Sequence, residues 1–429
     1  MQNWVMTELD SGERVITERL DHVRSVAVGY WIGAGSRDEA ADEAGVTHFI
    51  EHLLFKGTGR RSALEIAEIF DGLGGELNAA TSREHTIVYS RVPDHHLPTA
   101  LEVMSDMVFS PAFAEIDSER EVVLEEIAMV EDTPQDLVHD LAGEAVFAGH
   151  ALGRPVIGTA EVISSISRER IAGYHHSRYI PANIVVAAAG NLDHERIVEL
   201  VQAALELRGS DERGTPLVRT PVVQPPKPSL LFQRKDTEQY HVCLSAPGIA
   251  RSDRRRFAAS LLDAILGGSA SSRLFQEIRE KRGMAYSVYS FGSQYSDTGQ
   301  LGLYVGTREE NLADALAIAG EQMADISAGN VGERELERAK ENLKGRLLLS
   351  MESTSARMNR LGKALVTDSE LLSTERLVAE IDAVEAAAVS DLAATFLEPT
   401  RLSAAGIGPS EERFLEAVER VTPTLARAA

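Results

Sequence analysis

The sequence has little of what several common classes of protein require. It contains one cysteine, Cys243, so no intramolecular disulfide can form and any metal ligands are expected to be His, Asp or Glu. Its 43 basic residues are outnumbered by 66 acidic ones, and the net charge of −23 would repel the phosphates of a nucleic acid. No segment approaches the roughly 20 consecutive apolar residues of a membrane span. The first residues lack the basic start and apolar stretch of an export signal, so we expect a cytoplasmic protein with no membrane partner.

What is present indicates a folded protein of two parts. Hydrophobic residues make up 44% and charged residues 25% of the 429-residue chain, a length that exceeds what one hydrophobic core usually organises. We therefore expect two domains of roughly 200 residues each. The acidic surplus would attract cationic peptides, although the simpler interpretation is that it maintains solubility.

A repeated pattern indicates that the two domains arose by duplication. Residues 188–201 read AAGNLDHERIVELV, and residues 404–418, about half a chain later, read AAGIGPSEERFLEAV. Each predicts a strand of small residues, a glycine turn and an amphipathic helix, with one inserted residue in the second copy. Alternating strands such as 25–32 and 299–307 are mixed with long helices, such as the one over 333–352. The predicted class is α+β, with two homologous domains that each pack a mainly antiparallel sheet against helices.

A proline-rich segment predicts where the two domains meet. Residues 215–228, TPLVRTPVVQPPKP, contain five prolines, which preclude a regular helix and favour an extended connector. The predicted N-terminal domain is therefore 1–214 and the predicted C-terminal domain 229–429.

The segment GVTHFIEHLLFKGTG predicts a helix that stops near Gly57 and carries a polar stripe. His48, Glu51 and His52 fall at i, i+3 and i+4 on one face, while most of the remaining circumference is apolar. A buried carboxylate beside two imidazoles is unfavourable unless a divalent cation compensates for its charge. We interpret the histidines as zinc ligands and Glu51 as a base for water at the metal, in the order HxxEH. The alternative is that the three residues occur together by chance and hydrogen-bond one another.

A zinc site needs a third protein ligand, and the segment SEREVVLEEIAMVEDTP offers one. It predicts a helix that opens with a capping box of Ser118 and Glu121. At about 100° per residue, Glu126 shares the apolar stripe of this helix whereas Glu125 points away, so Glu126 is the predicted ligand. Glu119 lies on the same stripe two turns earlier, where it would either hydrogen-bond a ligand histidine or be a capping or solvated carboxylate at the helix start.

The remaining histidines are weaker candidates. His95 with His96 and His175 with His176 are adjacent pairs, whose side chains diverge on any regular element. We expect these four residues on the surface or in loops.

Several motifs together resemble one family of zinc peptidases. They are HFIEHLLFKGT, GGELNAATSREHT, EREVVLEE, GTAEVI, YIPAN and, in the second half, REKRGMAY. The chain resembles, over nearly its whole length, the pitrilysin, insulysin and mitochondrial processing peptidase family, most closely its short bacterial members. The resemblance implies that His48, His52 and Glu126 bind one Zn²⁺ per chain and that Glu51 is the general base. It also implies an endopeptidase that hydrolyses peptides or unfolded segments inside a chamber.

The resemblance implies roles for further residues. Glu119 maps onto a carboxylate that supports the metal ligands. The family's substrate strand maps onto four residues whose sheet edge would accept an extended peptide through main-chain hydrogen bonds, or which form an ordinary strand: Leu77, Asn78, Ala79 and Ala80. Arg279 and Tyr286 map onto a pair in the second domain that contacts the substrate carbonyl near zinc. Without the resemblance, Arg279 would only complement a helix end and Tyr286 would be a core residue.

The resemblance also has a consequence for assembly. In larger family members two such double-domain halves enclose the chamber, and the zinc domain of one half faces the second domain of the other. This chain matches one half. We therefore expect a homodimer in which Arg279 and Tyr286 act at the partner subunit's zinc site.

Three alternative functions stay open at this point. The family includes inactive subunits that bind or scaffold, and bacterial relatives that divide the zinc ligands and the arginine and tyrosine pair between two chains. This chain carries every one of these residues, which favours a self-sufficient enzyme. A small HxxEH enzyme that acts on a thioether-linked ribosyl substrate is disfavoured by the length of the chain and by the lack of a cysteine near the motif.

Overall fold

The computed structural model describes residues 4–205, 214–216, 218–222 and 227–427. The chain forms two compact units, each built from three stretches of sequence. The first comprises Met1–Ala128, Pro155–Thr220 and Leu348–Ser373, and the second comprises Met129–Arg154, Pro221–Leu347 and Thr374–Ala429. No helix in the described ranges is long and apolar enough to cross a membrane.

These units differ from the contiguous domains predicted from the sequence. Met129–Arg154 belongs to the second unit although it precedes the connector, and Leu348–Ser373 belongs to the first although it follows it. Elsewhere the change of unit falls between Thr220 and Pro221, within the predicted connector. The described residues of that connector form neither helix nor strand, and residues 217 and 223–226 lie outside the described part.

The first unit is organised around a six-stranded sheet. Its strands are β1 (Trp4–Glu8), β2 (Arg14–Arg19), β3 (Ser25–Ile32), β4 (Glu76–Thr81), β5 (Thr86–Pro93) and β6 (Ile184–Gly190). Their order is β1-β2-β6-β3-β5-β4, and all neighbours are antiparallel except the parallel pair of β2 and β6. β4 is therefore an edge strand.

The second unit contains a five-stranded sheet. Its strands are β7 (Leu230–Arg234), β8 (Tyr240–Gly248), β9 (Ala285–Gln294), β10 (Gly299–Thr307) and β11 (Ser403–Gly408). Their order is β7-β11-β8-β10-β9, with β7 and β11 parallel and the other pairs antiparallel. This order and these directions repeat those of β2 to β6, so the prediction of two homologous α+β domains is confirmed.

The register refines the predicted repeat. Gly190 ends β6 and Gly408 ends β11, and each pairs with the last residue of its parallel neighbour. The repeated sequence pattern instead matches Gly190 with Gly406, two residues too early. A shift of two keeps every side chain on the same face of a strand, so the hydrophobic pattern could not reveal the error.

The helices surround these sheets. They are α1 (Val46–Leu54), α2 (Ala63–Leu73), α3 (Leu97–Phe109), α4 (Ile116–Glu131), α5 (Pro134–Val146), α6 (Ala160–Ser165), α7 (Arg168–Arg178), α8 (His194–Leu205), α9 (Arg256–Leu266), α10 (Glu309–Ser327), α11 (Glu333–Ser350), α12 (Thr354–Val366), α13 (Thr374–Asp382), α14 (Ala386–Phe396), α15 (Glu411–Glu419) and α16 (Pro423–Ala426). A π-helical turn covers Phe275–Glu280.

The exchanged segments are helices that cover the second face of each sheet. In the first unit α12 packs on β3 and β6, where Met358 and Leu361 join a core with Trp31. In the second unit α5 packs on β8 and β11, where Val138 joins a core with Cys243. Because both faces of each sheet are apolar, each needs such a cover, and only long-range packing determines which helix supplies it.

The start of α4 differs from the sequence prediction. The helix begins at Ile116, two residues before Ser118, so the predicted capping box is wrong. The Ser118 hydroxyl instead donates to the Glu115 carbonyl oxygen at 2.9 Å. Phe113 and Glu115, with φ of 46° and 57°, enter the helix through the left-handed region, which few non-glycine residues adopt.

Candidate functional site

The polar stripe of α1 lies on an otherwise buried helix. Six of its nine residues are buried: Val46, Thr47, Phe49, Ile50, Leu53 and Leu54. His48, Glu51 and His52 are half-buried on the remaining face. Burial of the apolar positions against the first unit's core fixes the helix and so fixes where the stripe points.

The structure brings the three predicted zinc ligands together. Nε2 of His48 and Nε2 of His52 are 3.3 Å apart, and Oε2 of Glu126 lies 3.4 Å from the His52 atom and 3.7 Å from the His48 atom. A tetrahedral zinc ion with bonds of about 2.0–2.1 Å separates its ligand atoms by about 3.4 Å. The donor set and spacing therefore fit zinc.

α4 supplies the third of these groups as the sequence predicts. Glu126 is partly exposed, with 35% of its side chain accessible, and faces the histidines, while Glu125 is exposed on the other side of the helix. Val123 and Ile127 are buried on either side of Glu126 and anchor this face. Val122 of the same helix is 44% exposed and marks the edge of this face.

Glu119 holds the ring of His52. Its Oε1 accepts a hydrogen bond from Nδ1 of His52 at 2.9 Å, so Nε2 of that ring keeps its lone pair for a metal. Lys56 Nζ lies 2.5 Å from Oε2 of Glu119, which is only 5% exposed. The predicted bond from Glu119 to a ligand histidine is therefore present in the geometry.

His48 is held as a neutral imidazole. Burial, with a smaller contribution from His52, lowers the pKa of His48 to about 4. Its Nδ1 is buried and has no hydrogen-bond partner among the described residues. Neutral imidazole is the form that binds a metal.

Glu51 stands beside the ligands without being one of them. The Thr81 hydroxyl donates to Oε2 of Glu51 at 2.5 Å. Burial raises the pKa of Glu51 above its ordinary value, and the bond from Thr81 partly opposes that rise. The environment thus favours a carboxylate that accepts a proton more readily than one in water.

The predicted substrate strand lies on the edge strand β4. Asn78 and Ala80 are exposed, Leu77 is half-buried and Ala79 is buried. β4 pairs with β5, and its residues Glu76, Leu77 and Asn78 line a cavity of about 540 Å³ together with residues of α2. The cavity is lined mainly by apolar residues: Phe55, Ala63, Ile66, Ala67, Phe70, Leu77 and Tyr89, with Asp71, Glu76 and Asn78 among the polar ones.

Arg279 and Tyr286 adjoin each other in the second unit. The Arg279 guanidinium lies 4.5 Å from the centre of the Tyr286 ring, and its Nη1 donates to the Tyr286 carbonyl oxygen at 3.0 Å. Arg279 belongs to the π-helical turn, a feature often found at functional sites. Tyr286 is 77% exposed, so the reading of it as a core residue does not hold.

Sequence reasoning missed two supporting residues and misplaced one histidine. Lys56 and Thr81 could have been found, because Lys56 is four residues after His52 on the helical pattern and Thr81 directly follows the predicted substrate strand. His175 was expected at the surface, but it is buried on α7, where its Nε2 donates to the Val108 carbonyl oxygen at 2.9 Å. The expectation is wrong because an adjacent pair can put one ring inside and leave the other, His176, exposed.

Family models and curated relatives match this chain over most of its length. Residues 14–160 match the model of the family described as insulinase (peptidase family M16), and residues 165–343 match the peptidase M16 inactive domain. The chain is 42% identical to an uncharacterized zinc protease of Streptomyces coelicolor over 95% of its own length and 90% of that protein. It is 41% identical to the uncharacterized zinc protease YmxG of Bacillus subtilis over 89% of its own length and 93% of that protein.

Solved structures show the same fold. A protease from Helicobacter pylori superposes with a TM-score of 0.87 at 22% identity, over 95% of this chain and 99% of that one. A peptidase M16 inactive domain from Pseudomonas fluorescens gives a TM-score of 0.86 at 22% identity, with the same coverage. The matched ranges and the 41–42% identical zinc proteases confirm the resemblance drawn from the motifs, and the chain belongs to the M16 family of peptidases, that of pitrilysin and insulinase.

Proposed function

We propose that this protein is a zinc-dependent endopeptidase in which Glu51 is the general base. The observation that carries the proposal is the set of ligand atoms of His48, His52 and Glu126 at tetrahedral spacing, with the half-buried carboxylate of Glu51 one residue before His52. Zinc bound there would act as a Lewis acid and would lower the pKa of water. The homologues named zinc proteases support this assignment of metal and reaction.

The proton transfers are assigned to the chain's own residues. Glu51, with its raised pKa, takes a proton from the attacking water and delivers it to the leaving amine. Thr81 fixes one oxygen of Glu51, so the other oxygen is the one directed to water. Glu119 and Lys56 keep the ring of His52 in one tautomer and one orientation.

The substrate is proposed to be an extended peptide that joins the sheet at β4. An edge strand offers main-chain donors and acceptors to such a peptide at Leu77, Asn78, Ala79 and Ala80. Alternate side chains of the peptide would then face the cavity beside α2, whose apolar lining suits bulky apolar residues. The net charge of −23 favours peptides that also carry basic residues.

The active form is proposed to be a homodimer with two composite sites. Arg279 and Tyr286, already held together, would contact the substrate carbonyl bound at the partner subunit's zinc site, inside a chamber that admits only peptides or unfolded segments. Mixing inactive Glu51→Gln protein with inactive Arg279→Met protein tests this. In the mixed dimer one site has both parts intact, so exchange of subunits should restore about a quarter of wild-type activity. No restoration, or a fully active monomer, would contradict composite sites.

Hydrolysis by the purified protein tests the enzyme itself. A quenched fluorescent peptide with basic and apolar residues should be cleaved, the activity should disappear after chelation, and stoichiometric zinc should restore it. The same residues in a stably folded protein should resist cleavage. Bound zinc with no cleavage of any peptide would instead indicate a scaffold or a subunit that requires a different partner.

A further inference from the structure

The start of the metal-binding helix is capped from outside the helix. α1 follows Gly45, which has φ of +93° and no side chain to cap the first amides. The carboxylate of Glu39 takes that role: Oε2 accepts from the Gly45 amide and Oε1 from the Thr47 amide, both at 2.8 Å. Glu39 is 5% exposed. A buried negative charge at a helix N-terminus is favourable, so Glu39 fixes the end of α1 from which His48 and His52 follow.

The residue two positions before Glu39 is bound to the turn that follows β4. Nη1 of Arg37 pairs with Oε1 of Glu84 at 2.8 Å, with both side chains almost wholly buried. The Arg37 amide donates to the Arg83 carbonyl oxygen at 2.8 Å, and the Ser36 amide donates to that of Ser82 at 3.1 Å. This turn begins directly after Thr81, the residue that holds Glu51.

The connector between the halves of the chain is bonded to the segment of Arg37, Asp38 and Glu39. Nε and Nη2 of Arg219 each donate to an oxygen of Asp38 at 2.8 Å and so form a bidentate ion pair. Nη2 also donates to the Glu84 carbonyl oxygen at 2.5 Å. Nη2 of Arg37 donates to the carbonyl oxygen of Thr220 at 2.9 Å. Residues 219–220 are thus bonded both to the segment that caps α1 and to the turn beyond β4.

We propose that Arg219 and Glu39 are positioning residues for the metal site. Through the charged cluster of Arg37, Asp38, Glu39, Glu84 and Arg219, they hold α1 in a fixed relation to the end of β4, and they make that relation depend on the connector. The proposal rests on the proposed function for its effect on catalysis, but its effect on metal binding is independent of it. Removal of Arg219 takes the ion-pair partner from the almost wholly buried carboxylate of Asp38, which favours a shift of this segment.

The consequence is specific to the chemical step. His48, Glu51 and His52 lie on α1, whereas Thr81 lies on β4, so the bond between Thr81 and Glu51 spans the two elements that the cluster connects. A displacement of α1 changes the ligand geometry and the direction of Glu51. The free edge of β4, where the peptide is proposed to bind, keeps its pairing with β5. Loss of the cluster should therefore weaken zinc binding and lower kcat while KM stays nearly constant.

The test uses Arg219→Met, with Arg196→Met as the matched control. The Arg196 side chain pairs with Glu199 in an exposed ion pair on α8, so its loss should not affect the metal ligands. Zinc affinity is measured by competition with a chromophoric chelator, and ligand geometry by the visible absorption of the cobalt-substituted protein. We expect the zinc dissociation constant of Arg219→Met to rise about tenfold, at the low end for residues that support metal ligands, and the cobalt bands to shift.

Two further variants keep the test decisive. Arg219→Lys retains the charge without the bidentate geometry, and Glu39→Gln retains one acceptor for the two amides. The zinc affinity of both variants should therefore lie between those of wild type and Arg219→Met. If Arg219→Met does not fold, the zinc affinity and cobalt spectra of these two variants are compared with those of Arg196→Met instead. Zinc affinity and cobalt spectra equal to those of Arg196→Met would overturn the proposal. If the wild type cleaves no peptide, the proposed function fails, while the metal measurements still decide the positioning role.

Discussion

Replacement of Glu119 separates metal binding from fold stability. The Glu119 carboxylate bonds Nδ1 of His52 at 2.9 Å and Lys56 Nζ at 2.5 Å. Glu119→Gln keeps a neutral oxygen for His52 but removes the charge, whereas Glu119→Ala removes the acceptor altogether. A hydrogen bond to a charged group contributes about 1.5–3 kcal/mol and one between neutral groups about 0.5–1.5 kcal/mol. The difference predicts a zinc dissociation constant about tenfold higher for Gln and about 100-fold higher for Ala.

Stability should respond less than zinc affinity. The side chain of Lys56 is 29% exposed, so after the substitution its ammonium can turn towards water. Loss of this ion pair should therefore cost about 1 kcal/mol rather than the 3–5 kcal/mol of a fully buried pair. In the double variant Glu119→Gln with Lys56→Met, stability should recover but zinc affinity should not.

The assay is chelator competition at fixed pH, with urea unfolding of the metal-free proteins beside it. Glu125→Gln is the control, because Glu125 is exposed on the same helix and points away from the site. Zinc binding by Glu119→Ala that is as tight as that of Glu125→Gln would refute the role given to Glu119.

Three other substitutions test separate parts of the structure. Ala67→Phe should fill the cavity beside β4 and lower kcat/KM about tenfold for peptides with bulky apolar residues. Leu64→Phe, at a position 67% exposed on the same helix, should leave kcat/KM unchanged. Equal effects of the two substitutions would show that the cavity does not bind these side chains. Thr81→Val removes the bond that lowers the pKa of Glu51, so the acid limb of the activity profile should move to higher pH, and an unchanged limb would contradict the assignment. Burial lowers the pKa of His175 from 6.5 to about 4, so protonation of this ring favours the unfolded state. Between pH 6.5 and 4 the wild type should therefore lose about 3 kcal/mol of stability that the His175→Phe variant does not lose. Urea unfolding of both proteins at each pH measures this difference.

Local sequence patterns predicted the positions of the candidate zinc ligands better than they predicted the boundaries of the two structural units. Helical periodicity predicts which residues of α1 and α4 converge at the candidate zinc site, because each helix buries an apolar side that fixes its rotation. The start of α4 did not follow, since the left-handed residues Phe113 and Glu115 have no sequence signal of their own.

Contacts between residues distant in sequence account for what was missed. α5 and α12 each cover a sheet formed by the other half of the chain. The amphipathic pattern of a helix shows which of its faces is buried, but it does not indicate which sheet that face packs on. The same holds for Arg219, which lies in a proline-rich connector and gives no indication of the ion pair it makes with Asp38.

The central claim is that a zinc ion held by His48, His52 and Glu126 works with Glu51 to hydrolyse peptides. Its most direct test measures bound zinc and peptide hydrolysis on the same samples of wild type and Glu51→Gln. Wild type should hold one zinc per chain and cleave, and Glu51→Gln should keep its zinc while its kcat falls by about 10²–10⁴. Wild-type protein that binds no zinc, or a Glu51→Gln variant that cleaves at the wild-type rate, would contradict the account.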